Sequence, residues 1–398
     1  MHRFTLIALV FVSSALAEKL FDGKTLKGWE LCNGTASYKV VDGTIVGTTA
    51  EGSPNSFLCT TKDFGDFVLE LDAWTDPELN SGVQIRSHRY ATDRTVKTFD
   101  GKKLIERKQN AGRVHGYQAE IANEKSGASG GIYDEARRGW LHNISSDPVA
   151  SKAFKDNQWN HYKIEAIGDH IRTWINGVPC ADIVDGVDQA GFIALQVHQY
   201  KGEKPAQVRF RNIEIKDLGR HQWKPVSTAN WTKQGGNWTM EDGAIHATSD
   251  LNDPKIGFMV SDQTYKDLTL RFKFKIEKGN SGFFVRCDKT THAGYEIEID
   301  EAKRTGGYWH AGGRSWVVGP EDNAGVIPNE WNEITASFHG HRIAFFLNGV
   351  KTVDIADDEP GRLEGHLALQ AHGSRRPTSV WFKDIEVLEP ALRSEPRP

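Results

Sequence analysis

The chain has 398 residues, of which 38% are hydrophobic and 26% charged, and this is the composition of a folded protein long enough for two domains. Its net charge of −4 excludes a surface built mainly to attract nucleic acid or an anionic membrane. Twelve tryptophans and 39 glycines favour a fold with many tight turns and aromatic surfaces.

The first 17 residues predict a secretory signal peptide. A short basic start is followed by an apolar run, Phe4 to Val12, and by the small-x-small triplet Ala15-Leu16-Ala17. The apolar run is shorter than the ~20 residues that a membrane-spanning helix needs, so no span is expected. We therefore expect export to the periplasm or secretion from a bacterial cell.

Export permits disulfides, and the four cysteines are an even number. Their spacing contains no CxxC pair and no metal-ligand pattern. The only bridge that we consider is Cys32–Cys59, and Cys180 and Cys287 are expected to be buried thiols.

The remaining chain is a tandem repeat. "NSGVQIRS" from Asn80 recurs as "NSGFFVRC" from Asn280, and "GYQAEI", "GFIALQVH" and "VRFRNIEI" recur in the same order as "GYEIEI", "GHLALQAH" and "VWFKDIEV". The offset falls from 200 (280 − 80) to 178 (294 − 116), so the first copy carries an insertion, residues 88–115. We predict a first domain at 18–218, a second, divergent copy at 219–390, and a disordered tail at 391–398.

Each copy is predicted to be all-β. Residues 268–277 alternate between apolar and polar, which is the period of a strand with one buried face. Asn176-Gly177 and Asn348-Gly349 each lie between apolar runs and predict tight hairpins with positive φ. The apolar phase slips within "VRFRNIEI" and "VWFKDIEV", which predicts a β-bulge. Many short strands in a unit of this length favour a two-sheet antiparallel sandwich.

Strand alternation places polar side chains together on one open sheet face. If the first-domain strands are neighbours, that face carries Gln84, Arg86, Gln118, Glu120, Gln196 and His198. The second domain offers Arg286, Glu296, Glu298, Asp300, Gln370 and His372. Amides, a guanidinium and tryptophans suit a sugar, which has directional hydroxyls and an apolar C–H surface.

Structural interpretations of these residues remain open. Arg86 and Glu120 could form a structural cross-strand pair, and a histidine at a strand end is often structural. The row Glu296, Glu298 and Asp300 could bind calcium or another cation, or could be a solvated face.

The stretch "GGIYDEARRGWL" at 130–141 is the densest in functional residue types and is predicted to wall the site, although it could be an ordinary surface loop. Trp140 and Trp309 lie among charged residues and glycines, which makes them candidate platforms for sugar rings. The other members that we consider for substrate binding are Tyr133, Asp134, Glu135 and Arg138.

These phrases, together with "LFDGKTLKGWE" at 20–30, resemble the 3-keto-disaccharide hydrolase domain, formerly a domain of unknown function. The resemblance covers Leu20 to Lys216 closely, and Trp231 to Leu388 is similar as a divergent copy. It implies two tandem concanavalin A-like lectin/glucanase jelly-roll sandwiches. It also implies cleavage of glycosides that have been oxidised to a ketone at C3, and therefore a partner sugar 3-dehydrogenase that supplies the ketone.

The implied reaction removes the acidic C2 hydrogen and then expels the C1 substituent, so it needs a general base and stabilisation of an enolate. His198 or Glu120 is the expected base, and His198 is the first choice because imidazole exchanges protons near neutral pH. Arg86, with a divalent metal if one is required, is expected to stabilise the oxyanion. The remaining first-domain polar and aromatic residues would orient the sugar.

The second copy departs from the pattern, since Phe284 stands in place of Gln84 and "GGYWHAGGRSWV" replaces the acidic-basic loop. We therefore expect catalysis in the first domain. The alternative function is a tandem carbohydrate-binding protein without catalysis, because this fold serves both.

Overall fold

A computed structural model describes residues 17–99, 104–250, 256–320, 325–373 and 376–390. The predicted signal peptide, apart from Ala17, and the predicted tail at 391–398 lie outside these residues. The described residues contain no helix with the length and apolarity that a membrane span requires.

The first half of the chain forms short strands joined by turns and by one 3-10 turn, Ala150–Lys152. In chain order the strands are Glu18–Lys19 (β1), Trp29–Cys32 (β2), Ser37–Val41 (β3), Thr44–Thr48 (β4), Ser56–Phe64 (β5), Asp66–Thr75 (β6), Ser81–Arg89 (β7), Arg94–Phe99 (β8), Leu104–Gln109 (β9), Val114–Ile121 (β10), Ile132–Glu135 (β11), Gly139–His142 (β12), Asn160–Ile167 (β13), His170–Ile175 (β14), Val178–Val184 (β15), Gly191–Val197 (β16) and Gln207–Gly219 (β17).

The second half repeats this organisation. Its strands are His221–Pro225 (β18), Thr232–Gln234 (β19), Asn237–Glu241 (β20), Ala244–Ser249 (β21), Gly257–Tyr265 (β22), Leu268–Lys278 (β23), Asn280–Cys287 (β24), Gly294–Asp300 (β25), Tyr308–Ala311 (β26), Ser315–Val318 (β27), Asn332–His339 (β28), Arg342–Leu347 (β29), Val350–Ala356 (β30), Gly365–His372 (β31) and Thr378–Pro390 (β32).

Each half is a jelly-roll sandwich of two antiparallel sheets, as predicted. We call β12-β11-β10-β7-β16-β5-β2 the first front sheet and β15-β14-β13-β6-β17-β4-β3 the first back sheet. The second front sheet, β19-β22-β31-β24-β25-β26-β27, and the second back sheet, β20-β21-β32-β23-β28-β29-β30, have the corresponding order. The inserted strands β8 and β9 pair only with each other among the described strands.

The core of each sandwich is the apolar layer between its two sheets. In the first domain Ile85 and Leu195 of the front sheet and Phe210 of the back sheet are fully buried in one cluster. In the second domain Phe283 and Phe272 stack with ring centroids 4.3 Å apart across the same layer. Because alternate residues fill this layer, the intervening side chains of a front sheet point to its outer face.

The local predictions of turns and bulges are confirmed. Asn176-Gly177 and Asn348-Gly349 have positive φ at both positions, at 51° and 79° and at 50° and 78°. The phase slip in β17 is a bulge with Asn212 at φ 52°, and the slip in β32 has Asp384 at φ 52°.

The one bridge that we considered, Cys32–Cys59, is not formed. Both cysteines are buried free thiols on the paired strands β2 and β5, where Cys32 lies opposite Phe57 and Cys59 lies opposite Glu30. They are diagonal rather than directly opposite. Burial raises the pKa of the other two thiols, Cys180 to about 11 and Cys287 to about 12.

The two sandwiches contact each other through β14 and β15 of the first and the outer face of the second back sheet. Val184 clusters with Ala344 and Phe346. Arg342 Nη1 donates to Asp182 Oδ1 at 2.8 Å. The contact thus combines an apolar patch with ion pairs.

Candidate functional site

The three residues of the "NSG" phrase lie at the start of the central front strand in both domains, and each has a separate structural role. Asn80 Nδ2 donates a hydrogen bond to Glu120 Oε1 on β10. Ser81 Oγ donates to the backbone oxygen of Gln196 on β16, at 2.6 Å, and so ties β7 to that strand. Gly82 leaves space, because a Cβ there would lie 2.3 Å from the side chain of Gln118. The three residues therefore position a carboxyl group on the outer face.

Three of the predicted face residues, Gln84, Gln118 and Glu120, contact one another on the outer face of the first front sheet. Gln84 Nε2 donates to Gln118 Oε1 at 2.7 Å, and Gln118 Nε2 donates to Glu120 Oε2 at 3.0 Å. Ser87 Oγ donates to Gln84 Oε1 at 2.7 Å and begins the chain. These side chains are almost wholly buried, and their hydrogen bonds orient the carboxyl group of Glu120.

Glu120 has the electrostatics of a proton acceptor for neutral pH. Burial raises its pKa to about 7, and the hydrogen bonds from Asn80 and Gln118 oppose that rise. A carboxyl group of this pKa exchanges a proton near neutrality, which is the property required of a general base.

Gln196 and His198 extend the face along β16. The side-chain amide of Gln196 is fully buried, and neither its oxygen nor its nitrogen has a hydrogen-bond partner among the described residues. An unpaired buried amide costs free energy, so a ligand that supplies the missing partners would be bound favourably there. His198 follows the strand end, is half-buried, and has Nδ1 2.8 Å from the backbone oxygen of Gln199. If Nδ1 donates that hydrogen bond, Nε2 carries the free lone pair.

An aromatic pair borders the polar face. Tyr133 on β11 lies directly opposite Gln118, and its ring meets that of Trp140 edge to face with centroids 5.3 Å apart. Trp140 is 41% exposed, which is unusual for so large a ring. Both rings line a pocket of about 430 Å³ that is closed on its other side by Phe346 and the β29–β30 turn of the second domain.

The prediction that Arg86 shares this face is wrong. Arg86 adopts φ 45°, which bulges β7 and turns the side chain inward between the two sheets. There it is fully buried, with Nη2 3.0 Å from Asp66 Oδ1, Nη1 2.6 Å from the oxygen of Gly168 and Nε 2.8 Å from the oxygen of Gly65. Arg86 therefore joins the front sheet to turns of the back sheet and does not reach the outer face.

The same correction applies to Arg286. It has φ 51° and is fully buried, and it donates to Asp267 Oδ1 at 3.1 Å and to the backbone oxygens of Lys266 and Gly340 at 2.6 and 3.0 Å. The arginine at the seventh position of both copies of the repeated phrase is thus a structural element of the sandwich.

The acidic-basic stretch at 130–141 divides between the two sides of the sheet. Asp134 is fully buried on the inner side, where it pairs with Arg137 and Arg138, so it cannot orient a sugar on the outer face as predicted. Arg138 is also held inward, with Nη1 2.8 Å from Asp185 Oδ2, although it reaches the pocket between the domains. The position of Asp134 follows from alternation along β11, where Tyr133 and Glu135 take the outer positions.

Glu135 lies on the outer side but is engaged by protein groups. It pairs with Arg113 and accepts a hydrogen bond from Asn55 Nδ2 at 3.2 Å. Asn55 also accepts from the backbone nitrogen of Gln199 at 2.9 Å, next to His198. Because β11 and β5 are separated by three strands, these contacts link distant parts of the front sheet.

The second front sheet carries a corresponding but more acidic site. Asn280 donates to Glu298, the counterpart of Glu120, and burial raises the pKa of Glu298 to about 7. Glu296 replaces Gln118, and burial together with the charge of Glu298 raises its pKa well above the ordinary value. Asp300 is half-buried and accepts from Asn280 at 3.1 Å.

A cleft of about 700 Å³ opens over this second face. The rings of Trp309 and Trp316 meet edge to face at its border, 5.2 Å apart, in the positions of Tyr133 and Trp140. The predicted residues Glu296, Glu298, Trp309 and His372 all line it, with Gln370 and Arg376. Phe284 lies in the cleft where the first domain has Gln84, so the row of amides is interrupted.

Sequence reasoning missed the two asparagines that bind the glutamates, although both open the repeated phrase. Their recurrence was visible, but nothing in strand alternation shows that residue 80 faces residue 120. It also missed Trp316, whose partner Trp309 was chosen from its polar surroundings. Pairing of β26 with β27 brings the two rings together, and this pairing depends on the tertiary structure, which the sequence pattern does not show.

Parts of this chain are similar to several solved structures. A protein of unknown function with a galectin-like fold from Bacillus subtilis is 14% identical and covers 51% of this chain and 94% of its own, with a TM-score of 0.36. The carbohydrate-binding module CBM66 of Bacillus subtilis is 19% identical over 39% of this chain and 92% of its own, at 0.33. A β-1,3-1,4-glucanase from a mouse hindgut metagenome is 15% identical over 43% and 99%, also at 0.33.

No curated protein matches the chain. A family model does match, and it matches twice, in agreement with the two sandwiches. The matched segments are residues 16–216 and 222–388, which together span most of the sequence. The chain therefore belongs to a carbohydrate-active hydrolase/lyase family, that of the 3-keto-alpha-glucoside-1,2-lyase-like domain.

Proposed function

We propose that the chain cleaves 3-keto-glycosides by abstraction of the C2 proton and elimination, and that the first domain carries the catalysis. The observation that supports this most strongly is Glu120. It is a buried carboxyl group with a pKa of about 7, held by Asn80 and Gln118 on a face that also presents the amide of Gln196.

The chemistry defines what the face must supply. A ketone at C3 acidifies the C2 hydrogen, so a base takes that proton while the electron pair moves into an enolate whose negative charge lies on the C3 oxygen. Collapse of the enolate expels the C1 oxygen substituent, which takes up a proton, and leaves a C1–C2 double bond. Water then adds across this bond and completes net hydrolysis. No pair of opposed carboxylic acids, as in ordinary glycosidases, is needed.

Two bases are available, Glu120 on the floor of the face and His198 at its rim. Glu120 has the better-defined orientation, since Asn80 and Gln118 fix both carboxyl oxygens. His198 has Nε2 free for proton transfer if Nδ1 donates to the oxygen of Gln199. One of the two would abstract the C2 proton and the other would protonate the leaving oxygen.

With Arg86 turned inward, the enolate needs another donor. Gln196 Nε2 is the candidate, because the amide is fully buried and has no described protein partner. Gln84 and Gln118 would hold sugar hydroxyls. Tyr133 and Trp140 would offer the C–H face of the sugar an apolar surface.

The second domain is proposed to bind carbohydrate. The specific observation is its 700 Å³ cleft with the pair Trp309 and Trp316 at the border, opposite the carboxyl groups of Glu296 and Glu298. Phe284 interrupts the amide row there, which disfavours catalysis. A non-catalytic carbohydrate-binding function of both domains is the alternative for the whole chain.

We also propose how the substrate arises, where the protein acts and what a metal would do. The substrate requires an upstream oxidation of a sugar hydroxyl at C3, performed by a dehydrogenase, and the N-terminal sequence fits secretion or the periplasm. A calcium ion, or another divalent metal, is proposed only as an aid to oxyanion stabilisation.

The direct test uses the mature chain and a chromogenic 3-keto-glucoside, with and without a chelator. Turnover by the wild type should fall at least a hundredfold in both Glu120→Gln and His198→Ala, and should persist at saturating substrate in His372→Ala. Loss in His372→Ala alone would move catalysis to the second domain. Binding of the glycoside without turnover in the wild type would favour the carbohydrate-binding alternative.

A further inference from the structure

A cluster of three metal-ligating side chains lies at the contact between the two sandwiches, away from either front sheet. Asp169 and His170 come from the β13–β14 turn of the first domain, and His339 comes from the end of β28 in the second. Their potential ligand atoms all lie within 4.8 Å of one another, and no other group of three such residues is found in the described part of the chain.

The two histidines approach the same carboxylate oxygen. His339 Nε2 is 3.2 Å from Asp169 Oδ1, and His170 Nε2 is 3.8 Å from the same oxygen. In a tetrahedral zinc site with metal–ligand distances of about 2.0–2.1 Å, ligand atoms lie roughly 3.3 Å apart. The two nitrogen–oxygen separations, 3.2 and 3.8 Å, are close to this spacing. Two imidazoles with one carboxylate form a donor set that favours zinc over calcium or magnesium.

The carboxylate is already oriented by groups that would lie outside the metal. Asp169 Oδ2 accepts hydrogen bonds from Thr269 Oγ1 and Ser337 Oγ, both from the second back sheet. His339 Nε2 lies 3.2 Å from Oδ2 and from Thr269 Oγ1 as well as from Oδ1, so it would exchange these contacts for the metal. Hydroxyl donors to a ligating carboxylate are the outer-shell contacts that fix its geometry in metal sites.

The site is accessible to an ion. The side chains of His170 and His339 are 24% and 30% exposed, whereas that of Asp169 is 3% exposed. A bound ion would therefore have the carboxylate beneath it and solvent on its open side, where water could complete four-coordination.

We propose that Asp169, His170 and His339 form a zinc site that joins the two domains. Because its ligands come from both sandwiches, occupancy would stabilise their contact in addition to the Arg342–Asp182 ion pair and the Val184 patch.

Two arginines, Arg172 and Arg342, place positive charge near His170 and oppose the metal, and Arg172 provides a sharp test. Arg172 Nη2 lies 3.4 Å from His170 Nδ1. Binding of zinc at Nε2 would leave Nδ1 protonated, so this guanidinium nitrogen would have to move away. Arg172 can do so, since it already pairs with Glu165 at 3.2 Å and lies 3.5 Å from Asp182. Its charge also disfavours the cation.

The experiment measures zinc binding to the untagged, chelator-treated chain by calorimetry. We expect one zinc per chain, at least tenfold weaker binding by His170→Ala and His339→Ala, and unchanged binding by His341→Ala, the matched control in the neighbouring turn. Arg172→Ala should bind zinc more tightly. Replacement by Co²⁺ should give the intense d–d absorption of a four-coordinate N/O site.

Absence of stoichiometric binding by the wild type would overturn the proposal. So would zinc binding that is equal in both histidine variants, or weaker in Arg172→Ala. His339→Gln, which keeps a polar side chain at the contact, serves as the second variant if His339→Ala fails to fold, and it too should lose at least tenfold in affinity. None of these readouts depends on glycoside turnover.

Discussion

Arg86 Nη1 donates a hydrogen bond to the backbone oxygen of Gly168 at 2.6 Å, and so a residue of the front sheet holds a hairpin turn of the back sheet. Asp66 completes the arrangement, because its Oδ1 accepts both from Arg86 and from the backbone nitrogen of Gly168, at 3.0 and 2.9 Å. The second domain repeats it with Arg286, Gly340 and Asp267. The repeated arginine therefore stabilises the sandwich and does not take part in the chemistry.

Replacement of this arginine should destabilise the fold. Arg86→Ala removes the buried guanidinium partner of Asp66, which keeps His221 Nδ1 at 2.6 Å and the backbone nitrogen of Gly168 at 2.9 Å. Loss of one member of a buried ion pair typically costs about 3–5 kcal/mol. Chemical denaturation followed by circular dichroism measures it. Arg89→Ala is the control, because the Arg89–Glu30 pair is half exposed and contributes about 0–1 kcal/mol. An Arg86→Ala variant that is as stable as the wild type but inactive would contradict the structural role.

Sequence pattern predicted the sandwich, the repeat, the hairpins and the bulges of β17 and β32, because these depend on local alternation and turn chemistry. It also grouped Gln84, Gln118, Glu120 and Gln196 correctly. It failed at Arg86, since alternation presumes a regular strand and the positive φ at that residue reverses the side chain. Contacts between the domains, such as Asp169 with His339, depend on tertiary packing that no local pattern encodes.

The pH dependence of turnover should report Glu120. If its carboxylate is the base, kcat/KM rises with pH through about 7 and levels off above it, since only the deprotonated form accepts a proton. The hydrogen bond from Asn80 lowers this pKa, so Asn80→Ala should move the rise to higher pH. Initial rates between pH 5 and 9 measure the effect, and an unmoved profile in Asn80→Ala would exclude Glu120 as the titrating group.

The contribution of Glu120 to the free energy of unfolding should change with pH in the opposite direction to turnover. The folded pKa of Glu120, about 7, lies above the ordinary 4.5, so the folded state holds the proton more tightly. This contribution is fully present below pH ~4.5 and is lost as pH rises through ~7, and it amounts to at most about 3 kcal/mol. Relative to the wild type, Glu120→Gln should therefore gain unfolding free energy over that window. Glu124→Gln, at an exposed site, should show no such trend, and equal curves for both variants would contradict the assignment.

The absence of a side chain at Gly82 should be essential for the arrangement of the polar side chains on the outer face. A Cβ there would lie 2.3 Å from Gln118, so Gly82→Ala should displace Gln118 and Glu120 and lower turnover at least tenfold. Gly282→Ala would meet Glu296 at 2.3 Å in the second domain and is the matched control. If first-domain catalysis is correct, only Gly82→Ala reduces turnover at saturating substrate. An equal loss in both variants would contradict it.

Substitutions in the two aromatic pairs should show which domain binds which ligand. Trp140→Ala should weaken binding of a 3-keto-glycoside about tenfold, because an exposed ring supplies stacking surface at little cost in stability. Trp316→Ala should leave that affinity unchanged and weaken carbohydrate binding by the second cleft. Titration calorimetry measures both, and loss of 3-keto-glycoside binding in Trp316→Ala alone would reverse the assignment of the domains.

The central claim is that a C2 proton is removed before the glycosidic bond breaks. Cleavage of a 3-keto-glucoside in D₂O, quenched early and followed by mass spectrometry, tests it most directly, with the free 3-keto product as the control for spontaneous exchange. We predict one deuterium at C2 in every product molecule, and at least a hundredfold less product from Glu120→Gln and from His198→Ala. Cleavage that leaves the C2 hydrogen unexchanged would contradict the elimination mechanism.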